Sequence, residues 1–183
     1  MISKQNKFIA AIALQVVILL VIILFKASVA ISGTEVLLKI KPVDPRDLLR
    51  GDYITFQYDI SDLNFNQVYG MDIENGQTVY AVLEPGEKYA SVRYIQIRKP
   101  NTKDIFIKGA IQSGGLKEGE NEIPFERDRM LHIIYGIEQY FIPEGSGRNE
   151  SFWQKDAYAK VSVDDNGNAV IKQIYVDGKK WPQ

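Results

Sequence analysis

His132 is the only histidine in a chain of 183 residues that contains no cysteine. Imidazole and thiolate are the usual zinc ligands, so this pair of facts excludes a conventional zinc site. It also excludes a cysteine nucleophile, a disulfide framework and a lipid-modified N-terminal cysteine. A Ser-His-Asp arrangement would have to use His132, and no serine stands in a nucleophile-elbow motif. His132 lies among Leu131, Ile133 and Ile134, the setting of a half-buried, satisfied histidine. The 23 Asp and Glu show no spacing that singles out a catalytic pair. Neither a metal nor a cofactor is expected.

What remains are groups that bind. In RGDYITFQYDI, residues 50–60, glycine suits a positive-φ turn, and Asp52 can accept hydrogen bonds from neighbouring N–H groups. Counting by twos puts Ile54, Phe56, Tyr58 and Ile60 on one strand face, a core face, and Tyr53, Thr55, Gln57 and Asp59 on the other. The stretch therefore reads first as packing. Tyr53 is left over, beside Asp52, Arg46, Asp47 and Arg50. An aromatic among mixed charges on an outer face suits a contact surface; the alternative is cover by the loop around Glu144 to Arg148.

In MLHIIYGIEQYFI, residues 130–142, a continuous strand would set Glu138 on a face with Ile134, Tyr140 and Ile142. A carboxylate there needs a partner, and Arg46, Arg50 and Arg148 are the candidates, as a structural ion pair or as a ligand grip. Glu144-Gly-Ser-Gly-Arg148 has the look of an anion-binding helix entrance but lacks the GxxxxGK[ST] spacing. The candidate binding residues are thus Arg46, Asp52, Tyr53, Glu138, Glu144 and Arg148.

The elements that must carry these groups start with a membrane-length run. Phe8 to Phe25 is apolar on every side apart from Gln15, and with the weakly apolar residues through Ile31 it exceeds the roughly 20 residues needed to cross a bilayer as a helix. A domain this small cannot surround such a helix. Ser28-Val29-Ala30 has the small-x-small pattern of a signal-peptidase site, but the run is longer than a signal core. The expectation is a retained anchor over residues 1–32, with cleavage after Ala30 as the alternative. Lys4 and Lys7 before the run, against Lys26 after it, place the N-terminus in the cytoplasm and the body outside.

Residues 33–183 read as one mainly β domain. Val36, Leu38 and Ile40 alternate until Pro42, and further runs lie at Gln77–Leu83, Lys88–Arg98 and Asp104–Ile111. MLHIIYGIEQYFI reads as strand to Tyr135, and from Gly136 equally as a helical turn. AYAKVSVDDNGNAVIKQIYV is a hairpin turned at Asp-Asn-Gly-Asn, and the one short helix is expected within Ser146–Asp156. Seven to nine strands at hairpin spacing make a sandwich or partly open barrel. The three lysines flanking the apolar run leave the remainder with 19 cations against 23 carboxylates, which argues against nucleic acid as a partner.

GDYITFQY resembles the signature of the GDYXXLXY proteins, with Phe56 at the leucine position. VDPRDLLRGDY, YGIEQYFIPEGSGR and the closing hairpin extend the resemblance over most of the body. It implies a bacterial protein with an N-terminal membrane segment, often encoded beside multi-pass membrane proteins, and so a location and a class of partner rather than a reaction. The same region is similar to signal-peptidase-type proteases in its Pro-x-x-Leu-x-x-Gly-Asp-like run, but Pro42 stands where their serine nucleophile would, and the spacing is one residue long. The expectation is therefore an extracytoplasmic binding or scaffold domain that meets the bilayer through Phe8–Ile31 and associates with a multi-pass membrane protein. The alternative is a cell-envelope enzyme on a signal-peptidase-like scaffold without a recognisable nucleophile.

Overall fold

The computed structural model describes residues 3–41, 53–64, 68–69, 73–101, 103–115, 130–142, 152 and 154–182. The apolar run forms helix α1, Lys4–Ser32, opened by the Ser3 hydroxyl, which accepts from the Asn6 N–H at 3.2 Å, a side-chain N-cap. It is the one helix among the described residues that is long and apolar enough to cross a membrane, and its apolar side chains from Phe8 to Phe25 are exposed. Only its last turn enters the body, where Val29 is 2% exposed.

Beyond Gly33 the chain is strand after strand: β1 (Thr34–Lys41), β2 (Tyr53–Thr55), β3 (Gln57–Tyr58), β4 (Asp62–Asn64), β5 (Val68–Tyr69), β6 (Thr78–Glu84), β7 (Ser91–Gln96), β8 (Phe106–Ser113), β9 (Met130–Ile134), β10 (Gln139–Phe141), β11 (Ala157–Val163), β12 (Ala169–Val176) and β13 (Lys179–Trp181). One sheet has the order β13-β12-β11-β1-β3, a second β4-β9-β8-β6-β7-β5, and β10 pairs with β2. All pairings are antiparallel except β5 with β7. The architecture is mainly β with a curled half-barrel sheet.

Alternation decides which side faces in. Val36, Leu38 and Ile40 are buried, and so are Val161, Val163 and Ile174 from the closing hairpin and Ile107, Ile111, Leu131 and Ile133 from the second sheet, all in one cluster. Each such side chain contributes on the order of 1.5–3 kcal/mol by leaving water. The hairpin turn works as its sequence suggests. The Asp164 carboxylate accepts from the N–H groups of Asn166 and Asn168, each at 2.8 Å, and Gly167 takes φ +80°, a conformation open to glycine.

Three expectations change. Residues 53–60 are not one strand: β2 and β3 flank Phe56, and a 3-10 turn follows at Asp59–Ser61, so Ile60 is buried from that turn. The 133–142 stretch is not continuous either; it bends between Ile134 and Gln139 with Gly136 at φ +76°, and it is not a helical turn. The helix expected within Ser146–Asp156 is absent where described, since Gln154 and Lys155 form a turn with Gln154 at φ +62°; residues 146–151 and 153 lie outside the described residues. Short β4, β5 and β13 went unread because two or three residues carry no usable period.

Candidate functional site

The two stretches that the sequence singles out, roughly 80 residues apart, meet as neighbouring strands. Thr55, Ile54 and Tyr53 of β2 oppose Gln139, Tyr140 and Phe141 of β10, and the Phe56 N–H donates to the Glu138 carbonyl at 3.0 Å. Two buried tyrosines lock the junction reciprocally. Tyr58 Oη donates to the Ile137 carbonyl at 2.8 Å, and Tyr135 Oη donates to the Ile60 carbonyl at 2.7 Å. Each stretch thus supplies the hydroxyl that satisfies a buried carbonyl in the other, an interaction costly to leave unmade. Burial pushes both phenols well above their ordinary range, with the Glu138 charge adding to it. Phe56, 1% exposed, meets Tyr58 edge to face at 5.4 Å, a favoured aromatic geometry.

A cleft of about 460 Å³ opens at this junction. Thr55, Gln57, Glu138 and Gln139 line it from the joined stretches, Gln112 and His132 from β8 and β9, and Phe56 and Ile134 contribute apolar lining. Gln112 sits at a break in the β8–β9 register between Ile111 and Ser113; such a bulge re-aims a side chain. Glu138 reaches back, Oε1 accepting from the Tyr135 N–H at 2.5 Å. His132 is held from the edge strand β4, whose Asp62 is its register partner. His132 Nδ1 donates to Asp62 Oδ1 at 2.6 Å, and Lys41 pairs with the other carboxylate oxygen. Burial pushes Asp62 up, but the bonds from Lys41 and His132 outweigh it and hold the carboxyl below its usual range. His132 lines the cleft with Nδ1 committed to Asp62.

This arrangement can grip a ligand through three amides, an imidazole, a hydroxyl and a carboxylate beside apolar side chains. Among the described residues no group of three His, Asp or Glu side chains is placed to hold a metal. Thr55 is a hydroxyl in the same cleft as His132, and among the described residues no hydrogen bond joins the two. A second cavity of about 410 Å³ is bordered by Glu35, Lys88, Arg93 and Asp104, which pair with one another or with Asp156, Lys160 and Lys172, and by Lys103.

Of the residues singled out in the sequence, Glu138 lies in the cleft. The bend at Gly136 takes it off a continuous strand face, and its Oε1 accepts from the Tyr135 N–H; the arginines expected as its partners lie outside the described residues. Tyr53 stands in β2 opposite Phe141, its side chain being outside the described residues. Arg46, Asp52, Glu144 and Arg148, with Arg50 and Pro42, also lie outside the described residues. Gln57, Gln112, Gln139 and the Asp62 partner of His132 were not singled out, because only long-range register brings them together.

A family model described as GDYXXLXY protein matches residues 15–174. Neither a curated protein nor a solved structure matches the chain.

Proposed function

The chain belongs to the GDYXXLXY family, and from that premise we propose that it is a single-span, membrane-anchored binding domain, N-terminus in the cytoplasm and body outside, whose signature cleft holds a segment of another membrane protein. The observation that carries this reading is the convergence of both signature stretches on one cleft whose polar groups suit recognition rather than a reaction. Lys4 and Lys7 before the span support the orientation. Retention of the anchor is supported by the last turn of α1. The small-x-small site at Ser28–Ala30 is helical, and Val29 is packed against the body; a peptidase needs that segment exposed.

The test is comparative purification of the full-length protein from membranes. The unaltered chain is expected to retain a membrane protein that the Gln57→Arg/Gln112→Arg variant loses, with the mature mass including α1 and a C-terminal reporter active only outside the cytoplasm. Equal retention by both forms defeats the cleft reading, and a mature N-terminus at Ile31 defeats the anchor. A cell-envelope enzyme is the second reading, favoured by the His132–Asp62 pair beside the cleft. Under it, His132→Ala abolishes turnover without altering partner retention.

A further inference from the structure

The end of the domain opposite the signature cleft has a place fixed by the anchor. Counted from Phe8, about 20 helical residues cross the hydrocarbon core, which ends the span near Ala27. Val29 is two residues further, about 3 Å along the helix. There the helix already belongs to the body. The Val29 carbonyl accepts from the Ser162 hydroxyl at 2.7 Å and from the Gly33 N–H at 3.1 Å. A Cβ on Gly33 would stand 2.5 Å from Ser162 Oγ and 2.7 Å from the Val29 oxygen, so the junction has no slack for a side chain. No flexible tether separates membrane and domain.

The closing hairpin runs toward the same level. Thr34 pairs with Val163, so residues 164–168 extend past the start of β1 and alongside the last helical turn, which packs on β11 and β12. With α1 spanning, the headgroup layer, roughly 5–8 Å deep on each side, is the layer next to the helix end and the hairpin tip beside it.

The charge gathered at this end names the lipid. Lys99 Nζ donates to Asn166 Oδ1 of the tip at 2.7 Å, and the Lys108 N–H donates to the Gly167 carbonyl at 2.8 Å. Arg98 and Lys103 flank Lys99 in the same β7–β8 connection, and all four side chains are exposed. Arg98, Lys103 and Lys108 form no ion pair among the described residues. Of the carboxylates near this end, Asp104 pairs with Arg93 and Glu35 with Lys160 and Lys172, while Asp164, which accepts from Asn166 and Asn168 and keeps its charge, and Asp165 oppose the four cations. The body as a whole is acidic, which makes a basic membrane-facing end a polarised feature.

We propose that the hairpin tip, with Arg98, Lys99, Lys103 and Lys108, is a headgroup-contacting surface that favours anionic phospholipid and seats the domain on the bilayer it is anchored in. Cations close to a negative membrane surface gain attraction that falls away within a Debye length. This rests on α1 spanning the membrane, as proposed above.

Because the chain has no cysteine, single labels can be placed by Asp165→Cys at the tip and Gln139→Cys at the distal cleft. The full-length protein is put into nanodiscs of phosphatidylcholine alone or with phosphatidylglycerol, and nitroxide accessibility to a water-soluble nickel chelate is read. The label at 165 is expected to be several-fold less accessible than that at 139, with a further drop when phosphatidylglycerol is present. Arg98→Glu/Lys103→Glu/Lys108→Glu should remove that further drop and leave the label at 139 unchanged. Equal accessibility at 165 and 139 overturns the lipid contact. Shielding at 165 that ignores lipid charge and the triple substitution overturns the anionic preference. Failure of the chain to enter nanodiscs at all overturns the span itself and this surface with it, an outcome distinct from the other two.

Discussion

Replacing Tyr58 by phenylalanine deletes one hydroxyl and leaves the ring in place. The Ile137 carbonyl, in a residue 5% exposed, then loses the donor that sits 2.8 Å away. A typical internal hydrogen bond contributes about 0.5–1.5 kcal/mol net, but stranding a buried partner costs about 1–3 kcal/mol, so the loss should lie in the upper range. Tyr135→Phe strands the Ile60 carbonyl in the same way. The two bonds cross the same junction, from 58 to 137 and from 135 to 60, so losing either lets the signature stretches separate and weakens the other. The double variant should therefore depart from additivity by about 0.5 kcal/mol or more. Urea unfolding of the full-length chain in mild detergent, followed by tryptophan fluorescence, measures all three variants. Single losses within about ±0.5 kcal/mol, the range of ordinary surface changes, refute the reasoning; strict additivity refutes the idea that the tyrosines act as one clasp.

Phe56→Ala should cost about 3–5 kcal/mol as a buried aromatic truncation, whereas exposed Thr55 to Ala should stay near ±0.5 kcal/mol in the same assay. Alkaline stability follows from the raised phenols at 58 and 135. Their contribution is complete below the unfolded value of about 10, and it is lost as the pH rises toward the higher folded values, because the unfolded chain releases these protons first. Urea midpoints should fall steeply above that pH, and Tyr58→Phe/Tyr135→Phe should flatten the fall. Gly33→Ala, which drives a Cβ into Ser162 and two backbone oxygens, should expose the junction near residue 33 to added protease while leaving the signature cleft folded; unchanged digestion would show that the helix end is not clamped.

The helix, the closing hairpin and the inward face of β1 were legible because their signals are local: an unbroken apolar run, Asp-Asn-Gly-Asn between alternating strands, and Val36, Leu38 and Ile40 two residues apart. The core roles of Ile54, Phe56 and Tyr58 followed from the same period, although the strand itself breaks at Phe56 and Ile60 is buried from a 3-10 turn. The cleft was not legible. His132 read correctly as half-buried, but its partner Asp62 is fixed by the β4–β9 register across 70 residues, and Gln112 owes its direction to a register break. Glu138 was singled out on the assumption of a continuous strand, which Gly136 breaks, and the arginines named as its partners lie outside the described residues.

The central claim is that the joined signature stretches form the surface that meets a membrane partner. Site-specific photo-crosslinking in intact membranes tests it most directly, with a photoreactive residue at Gln139, exposed in the cleft, and a control at Lys179 on the edge strand β13. A discrete adduct to one membrane protein from position 139, absent from position 179 and abolished by Gln57→Arg, is the result expected. Identical adducts from both positions, or an adduct from 139 that persists with Gln57→Arg, would contradict it.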